Sequence, residues 1–195
     1  MIALLTLLFL TAAPQAARAE VTVAEREPVP QTHAHSAPAP SKAKASSSRG
    51  APVITLETLL KLPGAALATV AALTGADTTA REEVTHYQSL HDLEVIPTAG
   101  KAWIYVRGEQ VKVIYFGELA LPAGLKSDTL RDALGSDGES LRSRQGKRAN
   151  LHVVAARGIA WSELDGQVGF VEVFPPTTLK AYRKEIYGEP PLFRK

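Results

Sequence analysis

Four cations within seven residues, Arg142, Arg144, Lys147 and Arg148, are the densest group of side chains in this sequence that could do chemistry. On a strand, Arg142 and Arg144 would share a face and could receive a partner's carboxylate or phosphate through bidentate hydrogen bonds. The commoner origin of such a run is a solvated loop between helix and sheet, here with Gly146 at its turn. Other combinations are weaker. His86 and His91 fall on one predicted helix, 80–91, about 140° apart by helix geometry, so they do not converge on a metal. His152 is alone on a predicted strand and reads as a surface residue. Glu163 and Asp165 point to one side of a strand as a possible acid/base pair, but a hairpin turn explains an aspartate there. His33 and His35, in a flexible stretch, make an incomplete metal site.

Several chemistries lack their residues altogether. The chain has no cysteine, which excludes a thiol nucleophile and a disulfide framework. No Gly-x-Ser-x-Gly elbow and no glycine-rich phosphate loop is present. The expectation is a protein that is not an enzyme, with no catalytic residue, no resident metal and no cofactor.

Trp103 and Trp161, both tryptophans of the chain, occupy matching places in an internal similarity. Leu151 to Phe174 lies without a gap on Leu93 to Phe116, 58 residues upstream, with eight identities that include Gly100/Gly158, Gly108/Gly166 and Phe116/Phe174. Exposed, the tryptophans would be interface anchors; their recurrence argues for a structural part, since a functional site need not occur twice. Asp165-Gly166 is a strong two-residue hairpin signal and Arg107-Gly108 a weaker one. Gly100 and Gly158 mark an earlier turn, so each copy reads as three antiparallel strands. Val111, Val113 and Tyr115 alternate onto one face, kept uncharged by Gly169, Val171 and Val173 in the second copy. The opposite face pairs Lys112 with Phe170 and Ile114 with Glu172, which predicts a sheet covered on one side.

Helices must frame these strands. Thr55 to Lys61 has leucines on one face and stops at Pro63-Gly64; Ala65 to Thr74 follows and ends on Gly75. Thr79 to Glu82 has capping-box spacing ahead of Val84, Tyr87 and His91, which predicts the third helix over 80–91. Thr129 to Gly135 matches Thr69 to Gly75. After Pro175-Pro176-Thr177, Leu179, Tyr182 and Ile186 share the face of a last helix. The expected fold class is α+β: two helix-plus-three-stranded-antiparallel-meander units in one domain, about 65–117 and 125–175, with extra N-terminal helices and a C-terminal helix.

Ahead of this domain, Ile2 to Ala13 is an apolar run, and Ala17-Arg18-Ala19 precedes Glu20. That pattern reads as a signal peptide, residues 1–19, and as export to a periplasm or the medium. The run is shorter than the ~20 residues of a spanning helix, so no stable membrane insertion is expected after cleavage. Residues 20–52, rich in Ala, Pro and Ser, read as a disordered linker. Residues 53–195 carry eight Lys and nine Arg against seventeen acidic residues. A balanced domain gives no electrostatic case for nucleic acid.

The Leu-x-x-x-Leu-Gly helix at Leu130 to Gly135, followed by a Trp-bearing meander with Gly158-Ile159 before its second strand, resembles the SmpA/OmlA-type domains of outer-membrane assembly lipoproteins. A tandem of two such units is similar to the beta-lactamase-inhibitor-protein architecture. The similarity spans roughly 65–175, without the lipid-attachment cysteine of those lipoproteins. It implies action by protein binding and carries over no functional residue. The functional expectation is an exported, non-catalytic protein-binding or cell-envelope scaffold module whose partner is another envelope or secreted protein. Arg142, Arg144, Lys147, Arg148, Trp103 and Trp161 are its candidate contacts. An inhibitor of a secreted hydrolase is the first alternative, and a small-ligand or enzymatic domain without a recognisable motif the second.

Overall fold

Two tight turns fix how the strands meet. Arg107 lies opposite Gln110 across Gly108-Glu109, and Leu164 opposite Gln167 across Asp165-Gly166. Gly108, Asp165 and Gly166 all have positive φ, the backbone that such turns require. The computed structural model describes residues 54–190. The expected signal peptide, the linker and His33/His35 lie outside the described residues.

Eight strands form one antiparallel sheet: β1 (Glu82–Tyr87), β2 (Leu90–Pro97), β3 (Ala102–Arg107), β4 (Gln110–Gly117), β5 (Glu139–Arg142), β6 (Asn150–Val154), β7 (Ile159–Leu164) and β8 (Gln167–Val173). Their spatial order is β1-β2-β3-β4-β8-β7-β6-β5. Each half is a meander of sequential hairpins, and β4 pairs β8 at the seam through Ile114/Val173, Tyr115/Glu172 and Phe116/Val171. Four helices accompany the sheet: α1 (Leu56–Lys61), α2 (Leu67–Thr74), α3 (Ser127–Leu134) and α4 (Leu179–Glu185). Thr55 and Thr178 cap α1 and α4 with their hydroxyls, and α2 and α3 end on left-handed Gly75 and Gly135.

Both faces of the sheet are packed. Ile104, Ile114, Phe116, Trp161, Val171 and Val173 meet Leu59 of α1, Val70 of α2 and Leu130 of α3 on one face. Leu93, Val113, Leu151, Ala160, Phe170 and Phe174 meet Tyr182 of α4 and Ile186 on the other. Each fully buried large side chain contributes about 1.5–3 kcal/mol, so both layers matter to stability. A sheet covered on one side was the expectation. A whole second layer, reached by α4, covers the face that Glu172 shares with Phe170.

Three further expectations change. No helix forms over 80–91: β1 and the start of β2 occupy it, reversing at Gln88-Ser89 between Tyr87 and Leu90. The Thr79 amide and hydroxyl both bond Asp77 Oδ1, so Thr79 closes a local turn and caps nothing. Val84, Thr85 and Tyr87 prefer an extended backbone, and pairing with β2 outweighs the helical spacing. Each meander has four strands where three were expected, because β1 and β5 add edges. The third change concerns register. Gly108 is the first residue of its turn and Gly166 the second, so the two hairpins correspond at a spacing of 57 residues and not 58. Their bulges, at Tyr105/Val106 and Ser162/Glu163, keep the same 57-residue spacing. One residue of slip reverses the face of every side chain. Trp161 therefore packs with Ile104 in the layer covered by α1, α2 and α3, while Trp103 lies on the opposite face against Tyr115.

The turn before β7 is the tightest backbone approach. Gly158, at φ +68°, accepts a hydrogen bond on its carbonyl oxygen from the Phe174 amide, and a Cβ there would stand 2.1 Å from the Phe174 carbonyl oxygen. Gly158→Ala is expected to destabilise by roughly 2–4 kcal/mol through strain and clash together. Gly166→Ala, in open space at φ +81°, carries only the strain. Urea midpoints of the two variants would show the difference; equal losses would contradict the close approach.

Candidate functional site

Glu172 sits in β8, the strand at the seam of the sheet, and is fully buried. A carboxylate without water needs donors on both oxygens. Oε1 accepts from the Tyr87 hydroxyl at 2.6 Å, the Gln88 amide at 2.6 Å and Arg144 Nη1 at 3.0 Å. Oε2 accepts from the Tyr182 hydroxyl at 2.8 Å. These donors come from β1 and its turn, from the loop after β5, and from α4. Arg144 also donates to Tyr87, at 2.7 Å. Its guanidinium lies 4.4 Å from the Phe170 ring centre, 5.0 Å from Tyr115 and 5.2 Å from Tyr87. It is a cation held in an aromatic box with a carboxylate at its base.

The electrostatics follow from that enclosure. Burial works against the Arg144 charge, but Tyr87 and Glu172 outweigh it and raise the guanidinium pKa. Burial, with Glu172 beside them, pushes the Tyr87 and Tyr182 phenols well above their ordinary value. Burial pushes Tyr105 up to about 12. Among the described residues no buried side-chain N or O atom lacks a partner. The centre is thus saturated by its own chain.

A second polar cluster joins α3 to β6 and β7. The buried indole of Trp161 donates to Ser127 Oγ at 2.7 Å, and Ser127 donates to Glu163 Oε2 at 2.7 Å. Arg131 and the ring of His152 also reach Glu163 Oε2, at 2.6 and 2.9 Å. Burial raises the Glu163 pKa, but Ser127, Arg131 and His152 together hold it below its ordinary value. Ser127, His152 and Glu163 are not arranged as a nucleophilic triad. Ser127 is fully buried and is held by the same carboxylate oxygen as the histidine.

The expected contacts separate in space. Arg144 turns inward to Glu172. Arg148 pairs with Asp165 at 3.0 Å, with both side chains exposed, an interaction worth little. Arg142 reaches the Pro190 carbonyl at 3.1 Å, and Lys147 lies exposed on the loop. The four cations are not one patch. Trp161 is core, and Trp103 is half-buried on the other face. Glu163 and Asp165 have different partners and do not pair. His86 and His91 oppose each other across β1 and β2, with ring centres 6.2 Å apart, and His152 is buried where a surface residue was expected. Among the described residues no group of three His, Cys, Asp or Glu side chains could hold a metal.

Two arrangements had no place in the sequence reading, which offered Trp103 as an anchor by itself. Trp103, Tyr105 and Tyr115, all half-buried, line one face of β3 and β4, with Trp103 5.6 Å from Tyr115 and Tyr105 4.2 Å from Tyr87. A cleft of about 670 Å³ opens at the β5 edge beside α4, with Arg142, Arg183 and Tyr187 in its wall. Glu172 lines neither this cleft nor a smaller one beside Val111 and Phe174. The sequence did hold one signal for the buried centre: Glu172 is the single charge in the apolar run Val168 to Phe174.

No family model, curated protein or solved structure matches the chain.

Two outcomes test this description. Glu172→Gln leaves Arg144 without its counter-charge, and removing one member of a buried pair costs about 3–5 kcal/mol. In urea unfolding, Arg144→Met combined with Glu172→Gln should lose less than the two single losses added together; additive losses would mean the groups are not coupled. The phenols set the alkaline limit. They remain protonated in the folded chain at pH values where the unfolded chain ionises them. Their contribution is therefore complete below pH 10 and lost as pH rises from 10 through 12. Stability should fall there by about 1.4 kcal/mol per pH unit for each phenol still protonated. Absorbance at 295 nm that shows every tyrosine ionising at pH 10 in the folded protein would contradict this.

Proposed function

We propose that this chain is an exported, non-catalytic protein-binding module of the cell envelope, carried beyond the signal peptide on the linker of residues 20–52. The observation that supports the reading best is the half-buried row Trp103, Tyr105 and Tyr115. Aromatic side chains bring large contact area at small entropic cost, and they dominate interface energetics. The row is backed by Tyr87, Arg144 and Phe170, so its rings are held in place before any partner arrives. Rigid anchors bind more tightly than ones that must be ordered on contact. The ionisable groups of the two polar clusters are occupied with one another, which supports a structural use for them.

We further read the two meanders as copies of one unit. The 57-residue spacing of their bulges and the left-handed glycine ends of α2 and α3 support it, as does the resemblance to tandem helix-plus-meander proteins. Inhibition of a secreted hydrolase is the second reading. It draws on Leu119, 76% exposed between β4 and α3, as a side chain that a partner's cleft could take.

Affinity capture from envelope and secreted fractions with residues 20–195 separates the two readings. Trp103→Ala should weaken retention of the partner roughly 30-fold or more, the loss expected of an interface hot spot, while Leu119→Asp leaves it unchanged. The reverse pattern would favour the inhibitor. A partner retained equally by both variants would overturn both contact assignments.

A further inference from the structure

We propose that the cleft at the β5 edge seats an extended, acidic segment of a partner protein, which enters beside β5 and places a carboxylate between Arg142 and Arg183. The inference rests on the binding-module reading and names the chemistry of a second contact, at the opposite end of the sheet from the β1 edge. The backbone supplies its first part. The Ser143 amide donates to the Ala149 carbonyl, so the residues in step with it, Leu141 and Glu139, turn their main-chain groups toward β6. Ser140 and Arg142 turn theirs to the open side. The Tyr187 hydroxyl, which donates to the Arg142 carbonyl at 3.0 Å, marks that direction. A segment that adds a strand here meets the Ser140 main-chain groups and the Arg142 amide already aligned for it, and shares or displaces the Tyr187 hydroxyl at the Arg142 carbonyl.

Charge supplies the second part. Among the described residues that line the cleft, of about 670 Å³, Arg142 and Arg183 meet one carboxylate, Glu189. Arg142 is steadied by the Pro190 carbonyl, and Tyr187 by its bond to the strand. Two guanidinium groups beside hydroxyl and amide donors from Ser140 and Asn150 suit a carboxylate held by several hydrogen bonds. β5 is only four residues long, too short to hold a strand by its backbone alone, so the charge decides what stays.

The test uses isotope-labelled residues 20–195 and two blocked pentapeptides, one alternating valine with glutamate and the other valine with glutamine. The acidic peptide should bind saturably, shift the backbone amides of Ser140 and Arg142, and weaken at least tenfold on going from 50 to 300 mM salt. The glutamine peptide, which leaves the protein untouched, should bind at least tenfold more weakly. The double variant Arg142→Gln with Arg183→Gln should bind both peptides alike. Equal binding of the two peptides, shifts confined to β1 or to the aromatic row, or self-association of the chain at the same edge would overturn the proposal. Loss of peptide binding with Trp103-dependent capture intact removes this contact alone. Loss of that capture with peptide binding intact removes the aromatic-row reading instead.

Discussion

A carboxyl group buried in the middle of a sheet is the constraint on which much of this structure depends. Glu172 is at the seam strand and is fully buried, so the chain brings four donors to it from segments distant in sequence. Each donor carries an element with it. Tyr87 and Gln88 hold the first hairpin against the seam, Arg144 pulls the loop after β5 across the face, and Tyr182 brings down α4. Hydrophobic burial alone would tolerate small displacements of these elements. A carboxylate with fixed lone-pair directions does not, and it specifies one arrangement of the second layer.

The same centre shapes the outer surface. Arg144 spends its charge inward, so the loop that carries it presents Lys147 and Arg148 outward and leaves no four-cation patch. The rings that enclose the guanidinium include Tyr115, whose neighbour Trp103 reaches the surface. The proposed contact row is in this sense the outer side of a structural motif, and its rigidity comes from the buried charge beneath it.

Much of the architecture was legible in the sequence because local chemistry and tertiary packing agree there. Gly75, Gly135, Asp165-Gly166 and the prolines after Phe174 mark real ends and turns. The helix expected over 80–91 fails because Gln88 and Ser89 form a turn held by residues about a hundred positions away, through the Gly188 amide and the Tyr187 carbonyl. No local pattern contains that information. The register of the internal similarity fails for a subtler reason. Two turn glycines occupy successive places in equivalent turns, and aligning them puts Ala102/Ala160, Val113/Val171 and Phe116/Phe174 on opposite faces, although Leu93 and Leu151 stay on one. Trp103 and Trp161 look like equivalents by spacing and are not by position. The candidate contacts were harder still. Arg144, Arg142 and Arg148 are two to six residues apart, yet the end of β5 and the loop after it send them inward, to the edge and to Asp165. Arg183 joins Arg142 only through the packing of α4.

The place of Tyr182 in the chain also bears on when folding can finish. Its hydroxyl is the donor to Oε2 of Glu172, and it comes from the last helix described. Tyr87, which shares the same carboxylate, is separated from Glu172 by 85 residues of sequence. During synthesis, the early hairpins emerge long before this helix. The central charge stays incompletely satisfied until the C-terminal end arrives, and contacts so far apart in sequence form late and slowly. A chain built this way can complete its second layer only once its last described helix has been made.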